Sequence, residues 1–217
     1  MLDEHAISLL ALHVLTDRQW SRGRAMLDVA REAIEGGASV IQLRDKTAST
    51  RTLVEEGQAL RVLTRERGVL LIVNDRLDVA LAVDADGLHV GQDDMPVRLA
   101  RRLLGPQRIL GVSAGNLDEA GEAVAGGADY LGVGPIYPTL GKQDAGPATG
   151  TRLLQELHSR YSMPLVAIGG ITSQNAAEIV RAGATGVAVI TAVVHAGDIV
   201  LAARELRTAL SKSQQNQ

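Results

Sequence analysis

The segment Gln42-Leu43-Arg44-Asp45-Lys46 places an amide and two cations at alternate positions directly after the apolar run Ala38-Ser39-Val40-Ile41. In extended chain, residues two apart point to the same side, so Gln42, Arg44 and Lys46 share a face. A guanidinium grips phosphate oxygens in a planar fork, and an ammonium adds a mobile point charge. A solvated loop is the better explanation of an isolated Arg-x-Lys; with Gln42 also in phase, the balance moves to an anion grip. Other apolar runs end in a similar way. Asn74-Asp75-Arg76 follows the run 69–73, Gln92-Asp93-Asp94 follows Leu88-His89-Val90, Ser113 follows 109–112, and Gly169-Gly170 follows 165–168.

Asp75 and Asp94, with Asp93 a near rival, put hard carboxylates close to those cations. Mg²⁺ favours this arrangement, because it takes few carboxylates and fills its shell with phosphate oxygens and water. Salt bridging to Arg76 or helix capping explains an aspartate here equally. Gly111-Val112-Ser113-Ala114-Gly115 matches the G-x-S-x-G nucleophile elbow, with His195 as a candidate base. In a chain with 23 glycines that match is weak, and it leaves Arg44, Lys46, Asp75 and Asp94 idle. The stretch 134–147 is long for a connection and carries Lys142, which could close over an anion. It is no P-loop, since Gln143 follows the lysine. Gly169-Gly170 and Ile190-Thr191 suit a phosphate held on backbone N–H groups. His13 and His89 read as satisfied core histidines, and no histidine cluster suggests zinc.

The elements that must position these residues follow from hydrophobic period. Short apolar runs at 12–16, 39–43, 69–73, 87–90, 108–112, 130–134, 165–168 and 186–190 read as strands. Amphipathic patterns such as 25–35, 50–67 and 176–181 read as helices between them. Three helix endings repeat a motif: Glu35-Gly36-Gly37-Ala38, Ala125-Gly126-Gly127-Ala128 and Arg181-Ala182-Gly183-Ala184. Each predicts a tight left-handed cap leading into a strand. About eight such units in 217 residues predict one (β/α)8 barrel domain (a TIM barrel) over 1–217, with a polar tail fraying from about Ser211. An open doubly wound sheet is the competitor. In a barrel, every strand's C-terminal end opens on one face, so the polar endings converge.

Composition narrows the function classes. Aromatic residues make up 2% of the chain and phenylalanine is absent, so the core rests on aliphatic side chains suited to strands covered on both faces. A net charge of −3 gives no basic footprint for nucleic acid. With no cysteine, disulfides, thiolate catalysis and cysteine-ligated zinc are excluded. The first apolar run follows Asp3-Glu4 and is too short to span a bilayer, so a cytoplasmic protein is expected. Its partners are expected to be small molecules, with neither nucleic acid nor membrane; self-association is left open.

Taken in order, the motifs resemble the thiamine-phosphate synthase family. They are Gln42-Leu43-Arg44-Asp45-Lys46, Asn74-Asp75-Arg76, 89–94, Gly111-Val112-Ser113, 132–139 and Ala167-Ile168-Gly169-Gly170-Ile171. The resemblance implies coupling of a pyrimidine methyl diphosphate to a thiazole phosphate, with Mg²⁺ as cofactor. By motif it assigns Gln42, Arg44, Lys46 and Asn74 to the pyrimidine diphosphate and Asp75 and Asp94 to the metal. Ser113 and Lys142 would contact the pyrimidine or its leaving diphosphate. Thr139, Gly141, Gly170, Val189, Ile190 and Thr191 would take the thiazole phosphate. One position departs: Gly141 stands where the family carries Ser or Thr, and its backbone N–H is expected to replace the lost hydroxyl. A related thiazole tautomerase would need a histidine in the loop after the sixth strand, and none lies between Gly132 and Thr151. A serine hydrolase and a phosphate-ligand sensor are the rivals of other classes.

Overall fold

Eight parallel strands close into a barrel in chain order. In the computed structural model, which describes residues 4–139, 141 and 147–214, they are β1 (Leu12–Leu15), β2 (Val40–Leu43), β3 (Leu70–Asn74), β4 (Gly87–Val90), β5 (Ile109–Ala114), β6 (Tyr130–Val133), β7 (Leu165–Ile168) and β8 (Gly186–Val189). Helix α1 (Glu4–Leu9) precedes β1. Successive strands are separated by α2 (Met26–Glu35), α3 (Thr50–Arg67), α4 (Leu77–Ala82), α5 (Val97–Leu104), α6 (Leu117–Gly126), α7 (Gly150–Arg160) and α8 (Ala176–Arg181). After β8 come α9 (Thr191–Val194) and α10 (Ile199–Gln214). Helix α10 runs through Gln214, and its Leu206 and Leu210 are each 1% exposed.

The three repeated helix endings share one mechanism. Gly37, Gly127 and Gly183 have φ of 105°, 94° and 103°. Their N–H groups reach back to Ile34, Val124 and Val180, while the following Ala38, Ala128 and Ala184 bond the carbonyls of Ala33, Ala123 and Ile179. This double closure satisfies the last helical carbonyls and turns the chain onto the sheet. The turn between α4 and β4 repeats it without glycine: Asp84 takes φ 53° and Ala85 bonds Ala80. Such repetition is why the units look alike in sequence.

Strand side chains alternate between two cores. One face packs against the helices through residues such as Leu43, Leu71, Leu88 and Leu131. The other fills the barrel with Leu15, Val40, Ile72, Ile109, Tyr130, Val166 and Ala188. Tyr130 is the one large ring buried there, 1% exposed, and the opposing strand yields to it. Gly111 pairs with Tyr130 in register, and a Cβ added at Gly111 would stand 2.1 Å from Tyr130 Cζ. Gly132 does the same for His89, whose Cε1 would lie 2.7 Å from a Cβ there. The two glycines make room for two rings.

His13 shares this interior, fully buried with its ring edge-on to Tyr130 at 5.5 Å. Contrary to the sequence expectation of a satisfied core histidine, neither of its ring nitrogens has a hydrogen-bond partner among the described residues. Burial above all, then His89 nearby, lower its pKa from 6.5 to about 3; a contact with the Leu10 carbonyl, outside hydrogen-bonding geometry, opposes this weakly.

Two outcomes follow from this interior. Gly111→Ala is expected to destabilise the fold by about 1–3 kcal/mol through overpacking against Tyr130, read as a lowered urea midpoint. His13 stays neutral in the folded chain down to about pH 3, whereas the unfolded chain protonates it below 6.5. Stability is thus fully present above 6.5 and lost toward 3, with a slope of about 1.4 kcal/mol per pH unit from this group. His13→Leu removes that slope, so urea titrations of the two proteins should diverge across this window; parallel curves would refute the assignment.

Candidate active site

The C-terminal ends of the strands open into a cavity of about 380 Å³, a size suited to small organic substrates. The described residues that the family resemblance assigns to the site all line it: Gln42, Arg44, Lys46, Asn74, Asp75, Asp94, Ser113, Thr139, Gly141, Gly170, Val189, Ile190 and Thr191. Lys142 lies outside the described residues.

Alternation at the end of β2 explains the first group. Leu43 points into the outer core, and Asp45 turns outward to bond Arg18 Nε at 2.8 Å and cap the N–H groups of Thr47 and Ala48. Gln42, Arg44 and Lys46 are thereby left on the cavity side. Arg44 has a partner that the sequence analysis did not name. Its guanidinium pairs with Asp17, both largely buried, and its backbone N–H bonds Thr16 Oγ1 at 3.0 Å. Asp17 was not singled out from sequence, although it follows β1 as the other polar endings follow their strands. Breaking such a pair would strand a buried charge, so Arg44 is held in place with further N–H groups still to offer.

Asp75 takes the left-handed conformation with φ 62°, where its N–H bonds the His89 carbonyl at 2.8 Å. A non-glycine residue in this region carries backbone strain of a kind that collects at functional sites. Asn74 Nδ2 bonds Asp75 Oδ1 at 2.6 Å, and the Lys46 ammonium pairs with Oδ2. Burial raises the pKa of Asp75; Lys46 opposes the shift and neighbouring Asp94 adds to it. Asp94 is itself held by the Gly91 N–H at 2.7 Å. Asp94, rather than its rival Asp93, is thus the carboxylate that presses on Asp75, although Asp93 also lines the cavity. Among the described residues no group of three or more ligating side chains could hold a metal. Two adjacent carboxylates that repel each other fit a hard cation taking its remaining oxygens from substrate and water.

Ser113, expected just past its strand, lies inside β5, because the ladder continues through Ser113 and Ala114 opposite Gly132 and Val133. Its Oγ is 3.0 Å from His89 Nε2, and His89 Nδ1 is 2.9 Å from the Tyr130 hydroxyl. His89, read from sequence as a core histidine, is therefore a cavity residue joined to two others. His195, the base proposed for a hydrolase, is elsewhere: it closes α9 and contacts Trp20. Gln92 Nε2 bonds the Ser113 carbonyl at 2.6 Å. Sequence reasoning could have found His89 and Tyr130 only through the interior glycines opposite them.

The far wall is formed by the loop after β6 and the ends of β7 and β8. Ile136 and Tyr137 donate to the carbonyls of Ile168 and Gly169, tying the loop's first half to β7. Gly170, with φ 65°, packs so closely that a Cβ would stand 2.7 Å from Tyr137 Cβ. The N–H of Gly141, expected to be accessible, instead donates to Thr139 Oγ1 at 3.1 Å. Among the described residues, a Cβ on Gly141 would meet nothing closer than Thr139 Oγ1 at 3.4 Å, an ordinary contact.

Comparison with known proteins agrees with this architecture. The family model for thiamine monophosphate synthase matches residues 12–193. The thiamine-phosphate synthase of Chloroflexus aurantiacus is 58% identical over 204 residues, covering 94% of each chain. That of Moorella thermoacetica is 52% identical over 202 residues, covering 93% of this chain and 96% of its own. The structure of the thiamine phosphate pyrophosphorylase from Pyrococcus furiosus superposes with a TM-score of 0.88 at 44% identity, over 95% of this chain and 98% of that one. A 3-hexulose-6-phosphate synthase, 18% identical with a TM-score of 0.66, shares the fold alone. With a barrel of this form, and a family match running from β1 to α9, the chain belongs to the thiamine monophosphate synthase family.

Proposed function

We propose that the chain couples 4-amino-2-methyl-5-pyrimidinylmethyl diphosphate to hydroxyethylthiazole phosphate, giving thiamine phosphate and pyrophosphate in the cytoplasm. The observation that carries this reading is one cavity wall presenting Gln42, Arg44 and Lys46 beside the carboxylate pair Asp75 and Asp94. The bond between the pyrimidine methylene carbon and the diphosphate oxygen breaks, and its electrons leave with the diphosphate. The thiazole nitrogen then gives its lone pair to the methylene carbon. No proton moves in either step, so the site needs charge and positioning more than acids and bases.

Arg44, anchored on Asp17, offers a fixed positive charge to the departing diphosphate. Lys46, half exposed, can exchange its contact with Asp75 for a phosphate oxygen. Gln42 and Asn74 orient the pyrimidine diphosphate, and Ser113 offers a hydroxyl. Thr139, Gly141, Gly170, Val189, Ile190 and Thr191 form the wall assigned to the thiazole phosphate; Lys142, outside the described residues, is the further cation assigned by motif to the pyrimidine or its leaving diphosphate. Asp75 and Asp94 would hold Mg²⁺, which when bound supplies countercharge to the diphosphate.

Incubation with both substrates and Mg²⁺ should yield pyrophosphate and thiamine phosphate in equal amounts; tight ligand binding without pyrophosphate release would mean a sensor instead. Lys46→Ala and Asp75→Ala are expected to lower kcat by about 100-fold or more, and undiminished turnover in excess chelator would remove the metal from the scheme. Gly141→Ser should fold normally and lower KM for the thiazole phosphate by about tenfold, the effect of one added hydrogen bond to an anion. An unchanged KM would place that phosphate away from Gly141.

A further inference from the structure

Tyr130, His89 and Ser113 form a hydrogen-bonded chain across the interior faces of β6, β4 and β5. A neutral imidazole has one N–H and one lone pair, so one ring nitrogen donates and the other accepts. The chain can therefore run in either of two directions, and burial distinguishes them. Tyr130 is 1% exposed, and His89 Nδ1 is the one hydrogen-bond partner of its hydroxyl among the described residues. His13 stands edge-on to the same ring, yet neither of its nitrogens takes a hydrogen bond. Burial, with Asp129 adding to it, pushes the ionisation of Tyr130 upward, so the phenol keeps its proton. Were His89 Nδ1 protonated, the buried phenolic hydrogen would have no acceptor, an arrangement that native interiors avoid.

We propose that Tyr130 donates to His89 Nδ1 and so fixes His89 in the Nε2–H tautomer, that this N–H donates to Ser113 Oγ, and that the Ser113 proton is thereby aimed into the cavity at an acceptor oxygen of the diphosphate. Tyr130 and His89 are then positioning residues acting through Ser113. The same direction removes His89 as a base for Ser113, because its Nε2 lone pair is replaced by an N–H. A Ser–His contact of 3.0 Å would otherwise invite a hydrolase reading. Gly111 and Gly132 belong to the device, since a Cβ at either would displace the Tyr130 or the His89 ring. The identity of the acceptor rests on the proposed coupling reaction; the tautomer does not.

Long-range proton–nitrogen NMR of the ¹⁵N-labelled chain tests the tautomer directly, with the His89 signals assigned by their loss in His89→Gln. A pyridine-like Nδ1 and a pyrrole-like Nε2 at neutral pH are expected; the reverse pattern overturns the proposal. Kinetics test the consequence. Tyr130→Phe, which removes one oxygen and keeps the ring, should lower kcat by about tenfold with KM for the thiazole phosphate unchanged. In a Ser113→Ala background it should cost nothing further, because both changes remove one interaction. Multiplying losses would show that Tyr130 acts independently of Ser113 and would sink the relay. If the native chain forms no thiamine phosphate, the coupling reading falls, while the NMR pattern still decides the tautomer.

Discussion

The two-residue period of a strand, repeated around a closed barrel, is the constraint on which this molecule depends. It assigns Leu43, Leu71, Leu88 and Leu131 to the layer beneath the helices and leaves the alternate positions to the interior. At the C-terminal ends the same alternation carries on past the ladder. Asp45 turns away to Arg18 while Arg44 and Lys46 turn inward, although all three are charged and adjacent. A shift of one residue in β2 would exchange these roles and put the cations outside. Parallel register with β1 and β3 fixes that phase.

Charge at the mouth is arranged in pairs of unequal mobility. Arg44 and Asp17 are both nearly buried, and their fixed geometry lets the guanidinium act without reorganising. Lys46 is half exposed and shares Asp75 with Asp94; burial first, and then Asp94, raises Asp75's pKa. The fixed cation suits holding a phosphate, and the mobile one suits following it as charge develops.

Much of this architecture is legible in the amino-acid sequence. Strand runs can be placed to within one or two residues because aliphatic runs between amphipathic stretches have few other uses in a chain so poor in aromatics. The repeated Gly-Ala helix endings stand out because one local closure produces each of them. The polar strand ends can be gathered once a barrel is inferred, since topology alone brings them to one face. Pairings across the mouth and interior are not legible. Arg44 with Asp17, and His89 with Tyr130 and Ser113, join different strands through side-chain direction and ring size, which carry no local sequence signal. Ser113 reads as lying past its strand because Gly132 gives no hint that the ladder continues opposite it. The Gly141 N–H reads as accessible because its acceptor, Thr139 Oγ1, depends on how the loop folds back.

Closure of the barrel joins β1 to β8, pairing Leu12 with Val187 and Val14 with Val189. Contacts so distant along the chain are among the costliest in loop entropy. Gly186 tightens this seam, leaving no room for a side chain above the Leu10 carbonyl. Because the cavity wall includes Gln42 and Arg44 from the first units and Ile190 and Thr191 from the last, no partial barrel contains both sides of it. The complete cavity therefore exists only once the last strand has docked. The binding site is a product of closure itself, and ligand that occupies it reports on, and by mass action strengthens, the seam between the chain's two ends.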